Sequence, residues 1–192
     1  DFNAKWNVLE QTTESMPIAV TLYGNIAIDG RKQSVWDTLY YNNSNPADFY
    51  GYRFSNRLSY YSELMVSRKM NDMFSLQAGV SFSHFNTVDK EMDHDRIGIL
   101  YGGRIKLTPQ GSIIFTGNWP LKFTNLSDGP QKVMPQPSLS LGYEVSTGSH
   151  AFQMYLGTTS AMLPQDYMMN NPSKIETKYF QFGFVITRLW SF

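Results

Sequence analysis

Tyr179-Phe180-Gln181-Phe182-Gly183-Phe184-Val185-Ile186-Thr187-Arg188-Leu189-Trp190-Ser191-Phe192 is the last stretch of the chain, and its reading decides the fold. Side chains on a strand alternate between faces. Phe180, Phe182, Phe184, Ile186, Trp190 and Phe192 therefore share one side, while Gln181, Gly183, Thr187 and Ser191 share the other. One face is apolar and the other mostly small and polar. A soluble sheet would bury the apolar face under a second layer; a strand of this kind that ends on an aromatic also fits the closing strand of an outer-membrane β-barrel.

Composition favours the second possibility. The 192 residues amount to one domain, 1–192, and a single barrel can use them all. Aromatic residues make up 15 % and charged residues only 17 %, low for a soluble domain. Mean hydropathy is nevertheless −0.34. Lipid-facing residues interleaved with polar ones produce that combination. A helical membrane protein needs apolar runs of about 20 residues, and the sequence has none. Lys+Arg and Asp+Glu are both 16, so no net field attracts nucleic acid. With no cysteine, disulfide scaffolds, thiol catalysis and cysteine metal sites are excluded, and an oxidising periplasm or cell surface is permitted. The start at Asp1, without initiator Met or signal peptide, suggests a processed product or a fragment.

Alternation recurs upstream. It marks strands at Phe2–Leu9, Pro17–Ile28, Arg57–Met70, Phe74–Ser83, Arg96–Leu107, Ile113–Phe123, Ser138–Val145 and His150–Ser160. Pro17 suits a first strand position, and Pro120 calls for a bulge or an end of regular pairing. Connections alternate in length: short at Glu10–Ser15, Asn71–Asp72, Thr108–Gly111 and Thr147–Gly148, long at Asp29–Asn56, Val88–Asp95, Thr124–Gln136 and Pro164–Lys178. Successive turns of an antiparallel meander lie at opposite ends. Short periplasmic turns and long extracellular loops are the outer-membrane pattern. The expected fold is an all-β, antiparallel, up-and-down transmembrane β-barrel. About nine strands are visible where bacterial barrels have an even number, so the chain is expected to be the C-terminal part of a larger barrel that lacks N-terminal strands here.

On this reading Phe74, Trp119, Phe152, Phe182, Trp190 and Phe192 belong to the aromatic girdles at the membrane interfaces. Arg68 and Arg188 face outward but sit next to periplasmic ends, where a cation costs roughly 0–1 kcal/mol against about 2–4 at the midplane. Lys5, Tyr61, Glu63, Arg96, Arg104, Lys106, Lys122, Glu144 and Tyr155 face the lumen, with Tyr23 and Lys69 beside them. If that lumen is open, its cations favour anionic solutes; alternatively the charges pair and fill a narrow barrel. Glu91-Met92-Asp93-His94-Asp95 is the acidic run that contains a His, usable for a divalent cation or a carboxylate–His pair, although such a run is more often a solvated loop. His84 and His150 show no evident acidic partner in the sequence. Aromatics of the first long loop, including Trp36, Tyr40, Tyr41, Phe49, Tyr50 and Tyr52, and Tyr167, Met168 and Met169 of the fourth, either fold over the barrel mouth or form a docking surface.

The chain resembles a Bacteroidota family of outer-membrane β-barrel proteins of unknown function. The resemblance lies in Met16-Pro17-Ile18-Ala19-Val20, Leu64-Met65-Val66-Ser67-Arg68-Lys69, Phe74-Ser75-Leu76-Gln77, Gly103-Arg104-Ile105-Lys106-Leu107, His150-Ala151-Phe152-Gln153 and Phe182-Gly183-Phe184-Val185-Ile186-Thr187-Arg188. It implies a bacterial outer-membrane location, a longer N-terminal part and no particular reaction. The expected function is a channel or a non-catalytic subunit of a cell-envelope complex. The alternative from a different class is a hydrolase on the barrel rim that uses His94 and Asp95, and a soluble sandwich or lipocalin-like binder is third. Lipid and lipopolysaccharide are the expected surroundings, and outer-membrane proteins at the extracellular loops the expected partners. No catalytic residue, cofactor, metal or nucleic acid is expected.

Overall fold

Nine antiparallel strands form one sheet whose spatial order is the chain order: β1 (Phe2–Leu9), β2 (Ala19–Ile28), β3 (Leu58–Lys69), β4 (Phe74–Phe85), β5 (Asp95–Lys106), β6 (Gly111–Pro120), β7 (Ser138–Ser146), β8 (His150–Gly157) and β9 (Gln181–Arg188). The computed structural model describes residues 1–12, 15–32, 34–36, 52–88, 92–121, 134–173 and 180–188. A 3-10 turn, Phe54–Arg57, leads into β3, and a short helix, α1 (Pro164–Met169), lies between β8 and β9. The sequence reading had a plain loop at α1. Among the described residues the sheet is not closed: β1 and β9 are its two edges, and with an odd strand count they run in the same direction.

Strand limits follow backbone chemistry. Proline cannot donate to a ladder. Pro17 accordingly stays outside β2, which begins two residues later than the sequence reading placed it, and Pro120 closes β6 opposite Gly98. The short turns share one device, a side-chain oxygen that accepts a backbone N–H the ladder leaves over. Asn71 Oδ1 accepts from Met73 and Phe74, Thr108 Oγ1 from Gly111 and Thr147 Oγ1 from His150.

The two faces differ as the alternation requires. Outward stand large apolar groups that remain uncovered on every strand, from Phe2 and Trp6 on β1 to Phe182 and Phe184 on β9. A soluble monomer seldom leaves so continuous an apolar surface bare. The opposite face is built from small polar residues, and Ser59, Ser81, Ser83, Ser112 and Ser138 are buried on it. Where two strands meet, a ring can lie over a glycine: Tyr155 covers Gly183 across β8 and β9, and Tyr101 covers Gly117 across β5 and β6. A Cβ at Gly183 would run into the Tyr155 ring. Gly183→Val should therefore cost about 1–3 kcal/mol through overpacking, read as a lower urea midpoint for the folded protein in lipid vesicles, with Tyr155→Ala in the same background restoring part of the loss.

Candidate functional site

Two cross-strand rows of the polar face form the floor of the site. In one, Asn25, Tyr61, Ser83 and Arg96 stand opposite one another on β2 to β5; in the next, Lys5, Tyr23, Glu63, Ser81 and Gly98 do so on β1 to β5. Tyr61 hydroxyl donates to Glu63 Oε2 at 2.8 Å, and the Tyr23 ring meets Tyr61 edge-on at 6.0 Å.

Helix α1 is seated on this floor, against β3 to β6. Pro164 fills its first position, where a missing N–H costs nothing. Gln165 is fully buried, and its Nε2 donates to Asn25 Oδ1 at 3.0 Å and Ser59 Oγ at 3.2 Å. Met168 packs on Tyr61 and Leu100, with Tyr23 and Tyr167 around it. Gly98 makes the seat, since a Cβ there would come within 2.5 Å of the Met168 thioether. Past the helix, Asn171 Nδ2 donates to the carbonyls of Gln136 and Pro137, and Gln136 N–H donates to Asn171 O. The β8–β9 segment is thus pinned within α1 and again just past it.

Charged residues fall into two centres. Toward the long connections, Arg96 is 3 % exposed; its Nη2 meets Asp93 Oδ2 at 3.3 Å and its Nη1 donates to Leu121 O at 3.1 Å. Toward the short turns, Glu144 is buried and gathers Arg104 Nη2 at 2.7 Å, Gln153 Nε2 at 2.6 Å and Ser146 Oγ at 3.1 Å, while Arg104 Nε also donates to Ser112 Oγ. Lys5, Tyr61, Glu63, Arg96, Arg104, Lys106, Glu144 and Tyr155 all lie on the face that carries α1, though Arg96 and Arg104 are engaged by carboxylates and Tyr155 covers the β9 backbone. Phe74, Trp119, Phe152 and Phe182 lie on the opposite, apolar face. Lys122, Trp190 and Phe192 lie outside the described residues.

The acidic run around His94 is taken up by structural bonds. Asp93 holds Arg96, His94 Nδ1 donates to Phe85 O at 2.7 Å, and Asp95 meets His84 Nδ1 at 2.7 Å, while Glu91 lies outside the described residues. His84 thus has the acidic partner that the sequence did not reveal. Among the described residues no group of three His, Asp or Glu could hold a metal ion. The first long connection is not wholly exposed either: Trp36 is 2 % exposed, with the Arg31 and Arg57 guanidinium groups over its ring at 5.2 and 5.3 Å and Tyr52 beside it. Tyr40, Tyr41, Phe49 and Tyr50 lie outside the described residues.

A family model described as a membrane bound beta barrel domain, DUF5777, matches residues 1–190. The chain belongs to this family. Its description agrees with the bare apolar face and the antiparallel sheet, and assigns no activity to the DUF5777 domain. No curated protein and no solved structure matches the chain.

Two predictions follow the chemistry of this DUF5777 site. Asp93→Ala would strand the buried Arg96 charge, and a loss of about 3–5 kcal/mol in folding stability is expected from urea titration in vesicles. Asp166, on α1, is held above the usual carboxylate range: burial pushes it up, the Asn170 hydrogen bond only partly offsets this, and the Asp29 charge adds to it. A carboxyl raised in the folded state costs stability at neutral pH, and the cost fades as pH falls through its raised value. Asp166→Asn should therefore slow proteolysis of the β8–β9 segment at pH 7 and lose that advantage in acid.

Proposed function

We propose that this protein is a bacterial outer-membrane β-barrel, of Bacteroidota origin, whose interior is closed at rest by the β8–β9 segment and which works as a gated channel. The observation that carries the reading is the seating of α1 on the polar face, with Gln165 and Met168 fully buried. The outer-membrane assignment rests on the bare apolar face, on the alternation of short turns with long connections and on the resemblance. Edges that run the same way cannot pair antiparallel with each other, so an all-antiparallel closure, the bacterial pattern, takes an odd number of further strands. When α1 leaves its seat, Lys5, Lys106 and, in the sequence, Lys122 tilt the interior toward anionic solutes.

A second reading, a permanently closed and non-catalytic subunit of an envelope complex, draws on the same buried helix and on the pinning of Asn171. Outer-membrane proteins that meet the long connections are then its partners, among lipid and lipopolysaccharide. A rim hydrolase has less support, because Asp93, His94 and Asp95 are bound to Arg96, Phe85 and His84.

Single-channel recording of protein from native membranes, beside a variant in which a Gly-Ser linker replaces residues 161–171, separates these readings. The gated channel predicts a silent wild type and stepwise, anion-preferring currents from the variant. Silence from both, with both folded, supports the closed subunit. Steady large currents from the wild type would sink the plugged interior altogether.

A further inference from the structure

His84 is placed between two oxygen acceptors. Near the end of β4 its Nδ1 lies 2.7 Å from Asp95 Oδ1 on β5, and its Nε2 lies 2.8 Å from Asn86 Oδ1. An asparagine can ordinarily turn its amide to offer either oxygen or nitrogen. Asn86 has no such choice, because its Nδ2 donates to Ser55 O at 2.7 Å. The atom it turns toward the ring is therefore an acceptor, as is the Asp95 oxygen.

A neutral imidazole carries one N–H and can satisfy only one of these two acceptors. Both bonds form when the ring carries a proton on each nitrogen, one toward Asp95 and one toward Asn86. Without that proton one ring nitrogen would turn a lone pair toward an oxygen lone pair, in a half-buried place where the mismatch is costly. The groups that face His84 are Asp95 from β5, the His94 ring from the β4–β5 connection at 6.3 Å and the Tyr60 ring from β3 at 5.9 Å.

What the ring fastens gives the arrangement its meaning. Through Asn86 it holds Ser55, inside the 3-10 turn that ends the first long connection. Asn86 N–H also donates to Leu58 O at the start of β3. Two residues beyond Ser55, Arg57 donates to the carbonyls of Asp29 and Arg31, to the Tyr52 hydroxyl, and covers the Trp36 ring. The base of the first long connection is thereby tied to the β4–β5 hairpin through Asn86, whose side-chain amide the imidazole holds in place.

We propose that His84 is a protonation-dependent clasp: as the imidazolium it holds the Asn86 amide in the orientation that fastens the Phe54–Arg57 turn, and with it the Trp36–Arg57 cluster, and on losing its proton it loosens that hold. The clasp acts whether or not the barrel interior conducts. Nothing of it could be located from the acidic run alone, since it joins residues from three separate stretches.

Nitrogen-15 spectra of the histidine side chains and amide exchange, recorded on the folded protein in lipid nanodiscs, test this. At the acid end of the window in which histidine titrates, about pH 5 to 8, both His84 ring nitrogens should carry protons. In step with the loss of the second ring proton, wherever the spectra place it, the protection factors of the Asp29, Asn56 and Asn86 amides should fall about tenfold, the scale of one hydrogen bond to a charged group. In His84→Gln they should be low and insensitive to pH. A single protonated ring nitrogen at about pH 5 would overturn the clasp, and so would a wild-type pH dependence that survives in His84→Gln. If that variant fails to fold, the wild-type ring spectrum decides alone.

Discussion

Inside a bilayer no water is at hand for backbone N–H and C=O groups, and each one left unpaired costs several kcal/mol. An unbroken antiparallel ladder meets this demand between neighbours, and β1 to β9 pair in simple succession without a crossover. Much else in the molecule follows from keeping that ladder intact. Prolines are held at strand ends, turn hydroxyls accept the N–H groups that the ladder leaves over, and aromatic rings lie on glycines between paired strands. The apolar face is then free to meet lipid, and the rows of polar side chains around α1 are carried on the other side.

A period of two is why the sheet was legible in the sequence. Strand after strand repeats the same alternation, so an error of one residue would have turned the whole apolar set inward. The helix left a weaker trace. With six residues it has no room to display a 3.6 periodicity, and its burial depends on partners more than a hundred residues away, Asn25 and Ser59. Pro164 followed by Asp166 is the usual opening of a helix, and this was the one local sign available. Gly98 reads in sequence as an ordinary small residue on the polar side; only the tertiary arrangement shows that it is hollow for Met168.

Pairs across strands were hidden for a related reason. Asp95 and His84 are opposite each other because β4 and β5 share one register, and that register is set along the whole hairpin. The acidic run could be seen without seeing which of its members look outward to His84 and which look inward to Arg96. Their places differ: Asp93, ahead of β5, turns to the buried cation, while Asp95, the first residue of β5, faces the histidine. The same logic explains why Trp36 could be noticed as one of several loop aromatics and yet not recognised as the buried one, since the arginines that enclose it come from the two ends of the connection.

The β8–β9 segment has a mechanical side as well. Gln165 fastens it to β2 and β3, while Asn171 fastens it to the backbone just ahead of β7. Those strands are far apart along the sheet, so the segment is a strut that spans its curvature. A strut of this kind sets the distance between the walls it joins, and a curved sheet held at one span resists flattening. Whatever draws α1 from its seat therefore changes two things together, the cover over the polar face beneath it and the span between β2 and the start of β7.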